Sequence, residues 1–211
     1  MFKQFMSAVV FSAASFGSQA APVFDNGSVN FDGNETTAWI QADDFSIASG
    51  AVINRATVYL GGLRGGTLEG WDGSLTYYFF GAGAGQPGGL LASGSASNVA
   101  VADTGTAWFE ENVYSVTFDL SDFEAQAGST YWFGVHASTN FDRDEIYWVA
   151  AGAGNGNESA DGTQTNWANN GRERAFVLYA EDRNQIPEPT SVALIGLGLF
   201  GVAAARRRKQ A

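Results

Sequence analysis

Apolar and polar residues alternate along four long runs of this chain: VINRATVYL (52–60), SLTYYFF (74–80), VYSVTFDL (113–120) and TYWFGVHA (130–137). A period of two puts every second side chain on one face of an extended strand, and β-branched and aromatic residues carry the pattern here, as suits a pleated, half-buried surface. Shorter runs of the same kind lie at TAWIQ (37–41), IYWVA (146–150) and AFVLYA (175–180). No window between the two ends sustains a 3.6-residue period, so no helix is expected there. Glycine-rich breaks at 61–62, 65–66, 81–89 and 152–162 separate the runs and mark turns. Many short strands parted by turns predict an all-β sandwich or barrel. The irregular strand spacing and long glycine loops favour a single jelly-roll-like sandwich, whose sheets exchange strands through crossovers. A repeat of fixed period is missing, which counts against propellers and solenoids.

The two ends follow other rules. Lys3 precedes an apolar and small-residue run from Phe5 to Phe16, and Ser18, Gln19 and Ala20 offer the small residues a signal peptidase reads. This predicts a signal peptide over residues 1–20, cleaved after Ala20, and leaves residues 21–185 as the β-sandwich domain. At the other end Pro187, Glu188 and Pro189 precede an uncharged stretch from Thr190 to Ala205, then Arg206, Arg207, Arg208 and Lys209. As a helix that stretch is about 24 Å long, a little short of a hydrocarbon core of ~30 Å, and flanking Arg and Lys side chains can snorkel across the difference. The basic cluster resists translocation, so everything before Pro187 is expected outside the inner membrane. These three ordered parts resemble the PEP-CTERM sorting signal of Gram-negative bacteria, over residues 186–211. The resemblance implies recognition and removal of the tail by exosortase, so that signal peptidase and exosortase are the expected partners during export. It also implies a transient membrane anchor and a cell-surface or extracellular destination.

Setting the signals aside sharpens the charge. The whole chain carries −11, but before Pro187, and without Lys3, six basic residues face twenty-one acidic ones, a net charge of −15. Such a domain repels nucleic acid and anionic lipid surfaces, so neither is an expected partner apart from the membrane around the sorting helix. Cysteine is absent, which excludes disulfides and thiolate metal sites. A second, structural resemblance covers most of the domain. ADDFSIASGAVINRATVYLGG, GQPGGLLASGS and VYSVTFDLSDFEAQAGSTYWFGVHA look like the exported β-sandwich modules found ahead of such tails. In that reading Asp43 to Phe45 open a strand, Gly88 to Leu91 turn into another, and Gly128 to Trp132 start a central one; no catalytic residue comes with it.

Enzyme chemistry finds little footing. The one histidine, His136, ends an apolar strand with no serine or cysteine motif to pair with. Carboxylate pairs could be chosen from Glu110, Glu111, Asp142, Asp144 and Glu145, but nothing in the spacing selects one pair. Gly196, Gly198 and Gly201 spell GxGxxG inside the sorting stretch, without the strand that a dinucleotide site requires. Binding is the better reading. Trp71 and Trp167 flank loops where an exposed indole would offer a flat face to a sugar ring, whereas Trp132 and Trp148 sit in apolar runs and are expected in the core. Asp142, Asp144 and Glu145 in NFDRDE, and Asn157, Glu158 and Asp161 in GNGNESADG, are candidate ligands for a structural calcium ion, with solvated acidic loops as the plain alternative. The expected protein is therefore an exported, non-enzymatic surface or matrix protein associated with extracellular polysaccharide. A carbohydrate-binding module is the runner-up, and a glycoside-active enzyme comes third.

Overall fold

The strong alternation of residues 52–60 becomes the strand around which one layer is built. In the computed structural model, which describes residues 21–62, 71–109, 111–160 and 164–180 (backbone only at 158–160), this strand is β4 (Ala51–Gly62). It pairs with β8 (Glu111–Ala125) along one edge and with β14 (Phe176–Ala180) and then β10 (Ile146–Ala153) along the other. A register shift between Ile53 and Arg55 lets Ile53, Ala56, Val58 and Leu60 all reach full burial. A bulge of this kind re-aims the side chains that follow it.

Before β4 come β1 (Ala21–Asp25), β2 (Gly33–Glu35) and β3 (Trp39–Ser46); after it come β5 (Thr76–Ala82), β6 (Pro87–Ser95) and β7 (Ser97–Trp108). Then follow β8, β9 (Thr130–His136), β10, β11 (Asn157–Ala160), β12 (Trp167–Asn169), β13 (Arg172–Arg174) and β14. They form two antiparallel sheets. One has eight strands, with β7, β8, β4, β14, β1, β10, β13 and β2, and the other has six in the order β12-β11-β3-β9-β5-β6. The described residues contain no helix, and none long and apolar enough to cross a membrane. Most consecutive strands lie in opposite sheets, and β5–β6, β7–β8 and β11–β12 are the local hairpins.

Between the sheets lies an aromatic core. Phe79 stacks on Phe123 at 4.0 Å, and Phe133 meets Trp148 edge-on at 6.1 Å, with Phe45 and Phe176 beside them. Each such ring removed from water contributes roughly 1.5–3 kcal/mol. Trp132 and Trp148 are buried, as their apolar runs predict.

The six-stranded sheet also buries its outer face. Ile40 and Ala42 of β3, Tyr78 and Phe80 of β5 and Trp132 of β9 form a second apolar cluster, closed by Trp167 of β12. In a flat sheet, β12 would lie four strand spacings, about 19 Å, from β5. Instead the Trp167 ring meets Phe80 edge-on at 5.2 Å, and Asn157 Nδ2 of β11 donates to the Gly85 carbonyl of the β5–β6 turn at 3.4 Å. The sheet therefore curls, and its outer face is concave.

Several expectations are corrected. The breaks drawn at 81–89 and 152–162 hold strand: β6 starts at Pro87, and Asn157–Ala160 form β11, paired with β3 on one side and β12 on the other. Gly88 permits the tight hairpin, since a Cβ there would come 3.0 Å from the carbonyl oxygens of Gly81 and Ala82. Strand β7 shows no alternation because it lies mostly exposed beside β8. Asp43 to Phe45 lie within β3 and do not open it, whereas Thr130 does start a central strand, entered through Gly128 at φ +70°. Ala20–Glu181 form one compact unit. The expected signal peptide and sorting helix fall outside the described residues, as do Glu110 and Asp161.

Candidate functional site

Where the concave face opens away from the Trp167 cluster, strand pairing sets Thr76 of β5 opposite His136 of β9 and Ser95 of β6. Tyr78, two residues along β5, shares that face. These side chains line a pocket of about 380 Å³, which Ser74 enters from one loop and Ser138, Thr139 and Phe141 enter from another. Among the described residues no Asp, Glu, Lys or Arg side chain lines it.

His136 is 3 % exposed and its Nε2 lies 2.6 Å from the Thr37 carbonyl oxygen. A carbonyl only accepts, so Nε2 carries the hydrogen, and the Ser138 backbone is a second hydrogen-bonding neighbour of the ring. Burial holds the imidazole below its ordinary pKa, which favours the neutral form. Phe141 stacks on the same ring at 4.1 Å and 20°, yet remains 39 % exposed. Burial also raises the Tyr78 phenol, which therefore stays protonated.

Polar side chains hold both rims. Ser138 Oγ donates to Asn140 Oδ1 at 3.2 Å, the Asp142 amide donates to that same oxygen at 2.9 Å, and the Asp144 amide donates to Thr37 Oγ1 at 2.8 Å. Thr37 is in turn fixed by the buried Glu35 carboxylate, which accepts from its amide at 3.0 Å and from its hydroxyl. On the opposite rim the Ser74 amide donates to Asp72 Oδ1 at 2.8 Å, and the Trp71 indole N–H donates to the Ser74 carbonyl at 2.9 Å.

The residues singled out from sequence thus take mixed places. Trp71 and Trp167 are half-buried, with indole N–H groups bound to the local carbonyls of Ser74 and Gln164. Trp71 braces the pocket rim and Trp167 closes the outer cluster. The aromatic that stays open beside a cavity is Phe141, which no spacing rule marks because it sits among acids in a loop. Asp142 and Asp144 are exposed and Glu145 is half-buried. Asn157 is buried in β11, with its amide on the carbonyls of Asn155 and Gly85; Glu158 lies in the same strand.

Among the described residues the acids whose oxygens gather within 4.8 Å are Asp43, Asp44 and Glu173. Asp43 bridges the two sheets: its Oδ2 accepts from the Arg174 amide at 2.5 Å and from Asn26 Nδ2 at 2.9 Å. Burial pushes its carboxyl up to about 8, against the lowering pull of that Arg174 hydrogen bond, and the nearby Glu173 charge adds to the rise. It is a structural acid, protonated at neutral pH.

The fold is thus an antiparallel β-sandwich with one curled sheet and an uncharged pocket on that sheet's concave face. Residues 185–209 match the PEP-CTERM protein-sorting motif. The chain therefore carries that motif at its C terminus, and the motif implies an exported protein sorted by exosortase, with a membrane-anchored tail. No curated protein and no solved structure matches the chain.

Proposed function

We propose that this is an exported, non-enzymatic protein of the cell surface or extracellular matrix, associated with extracellular polysaccharide, whose jelly-roll sandwich is delivered by a C-terminal transmembrane helix that exosortase removes. The observation that carries the reading is the sorting motif at residues 185–209. The repeated passage of the chain between two sheets supports a jelly roll. An excess of acidic residues suits a domain that must stay dispersed outside the cell. A second reading, a carbohydrate-binding module, is favoured by the uncharged, aromatic-edged pocket.

Replacing Pro187, Glu188 and Pro189 together with alanine tests delivery. The variant accumulates in the inner membrane with Arg206 to Lys209 attached, whereas mass spectrometry of the wild-type protein finds those residues gone. Wild-type protein that retains them refutes processing.

A further inference from the structure

We propose that the pocket bounded by His136, Tyr78 and Phe141 binds one neutral sugar ring. It rests on the reading of a polysaccharide-associated domain only for the source of that sugar.

Three observations converge on this ligand. The first is the balance of the lining. Among the described residues no hydrogen bond engages the hydroxyls of Thr76, Tyr78, Ser95 or Thr139, although all four residues line the pocket. Each hydroxyl can donate and accept, so the cavity offers several donors and acceptors in a small space. A wholly apolar guest would cover them without pairing them, whereas a polyol matches them.

The second is the open aromatic ring. Phe141 is held against His136 with part of its surface bare at the mouth of the pocket. A pyranose presents apolar C–H groups on one face and hydroxyls around its edge, so the ring face can rest on Phe141 while the edge reaches the hydroxyls. The third is charge. Among the described residues no Lys or Arg side chain lines the cavity, Asp72 and Asp144 stand just behind its rims, and the domain is strongly acidic. An anionic sugar would enter against that field with no partner to neutralise it.

Size and rigidity agree. About 380 Å³ lies at the small end of the roughly 300–1,000 Å³ found for ligand sites, which suits a single ring better than an enclosed oligosaccharide. Both rims are fixed by their own hydrogen bonds, so little ordering is left for binding to impose.

The chain has one histidine, so its imidazole signal in proton NMR reports on this pocket alone. The full chain, held in a zwitterionic detergent free of sugar, is titrated with the methyl glycosides of glucose, galactose and mannose, with galacturonate, and with neutral oligosaccharides. At least one neutral glycoside shifts the His136 signal saturably, and galacturonate does so at least tenfold more weakly. Tyr78→Phe and Phe141→Ala each weaken binding about tenfold or more, whereas Phe31→Ala, which removes an exposed ring outside the pocket, leaves it unchanged. Should Tyr78→Phe fail to fold, the exposed Phe141 still decides. An oligosaccharide that binds more tightly than its monomer identifies a polymer as the source, and equal affinities identify the free sugar. A silent His136 signal, or wild-type affinity in Phe141→Ala, overturns the proposal. If wild type is still retained on a neutral polysaccharide in either case, only this site fails; with no retention the polysaccharide reading fails too.

Discussion

At the scale of single residues, Asp43 ties stability to pH. Its carboxyl rises from 3.8 in the unfolded chain to about 8 in the fold, because burial penalises the charge. Between those values the native state holds the proton more tightly than the unfolded state, so the contribution is full below 3.8 and is lost as pH climbs to 8. His136 runs the other way: a depressed imidazole withholds stability as pH falls below its ordinary 6.5. The two oppose each other in mild acid, and above 6.5 only Asp43 still acts. The melting temperature therefore falls between pH 6.5 and 8, by an amount corresponding to at least ~1 kcal/mol, or about 2–4 °C for a domain of this size. Asp43→Asn, which keeps an acceptor for the Arg174 amide and cannot ionise, flattens that limb in thermal melts. An unchanged slope in the variant would show that another group titrates there. Gly61 gives a steric counterpart. A Cβ at that position would stand 2.5 Å from Trp108 Cε3, and Trp108 is itself buried, so Gly61→Ala must displace a packed indole at a cost of about 1–3 kcal/mol. Denaturant unfolding measures that loss, and a shift under ~0.5 kcal/mol would mean that the indole moves freely.

At the scale of elements, what the sequence disclosed depended on burial. Strands β4, β5, β8, β9 and β10 were legible because each sets apolar positions against a core. Strand β7 was not, because most of its residues face solvent and no contrast of sides is written into SNVAVADTGTAW. β11 and β12 were hidden in polar, glycine-rich segments, since their pairing rests on backbone hydrogen bonds that composition does not record. The curl that carries them over the outer face is held by long-range contacts, Trp167 against Phe80 and the Asn157 amide on the Gly85 carbonyl. Trp167→Ala should therefore open the outer cluster, destabilise the domain by about 2–4 kcal/mol, and raise binding of a hydrophobic dye in the native baseline. Loss of stability without dye binding would show that β11 and β12 stay closed without the indole. The pocket escaped notice for a related reason: Thr76, His136 and Phe141 are distant or unremarkable in sequence, and only the register of β5 against β9 and the fold of the β9–β10 loop bring them together.

At the scale of the molecule, charge becomes the leading variable. Export, sorting and the β-sandwich class were readable because signals and strand patterns are local in sequence. The role of the acids is a different question, because it depends on which oxygens already have partners. In the β9–β10 loop Ser138 Oγ reaches Asp144 Oδ2 at 3.5 Å, Asp144 is also held through its amide, and the exposed Asp142 and Asp144 do not gather with Glu145 as Asp43, Asp44 and Glu173 do. Carboxylates dispersed in this way respond to salt through screening, whose length is about 10 Å at 0.1 M ionic strength and is indifferent to the identity of the cation. A domain at −15 should gain stability as sodium chloride weakens its self-repulsion. Calcium chloride at the same ionic strength should then raise the melting temperature by a similar amount, and Asp142→Asn with Asp144→Asn should change both responses equally. A bound ion would instead add RT ln(1 + [L]/Kd), about 2.7 kcal/mol at a hundred times Kd. A calcium-specific rise of several degrees, abolished by the double substitution, would therefore overturn the screening account and place a cation in the NFDRDE loop.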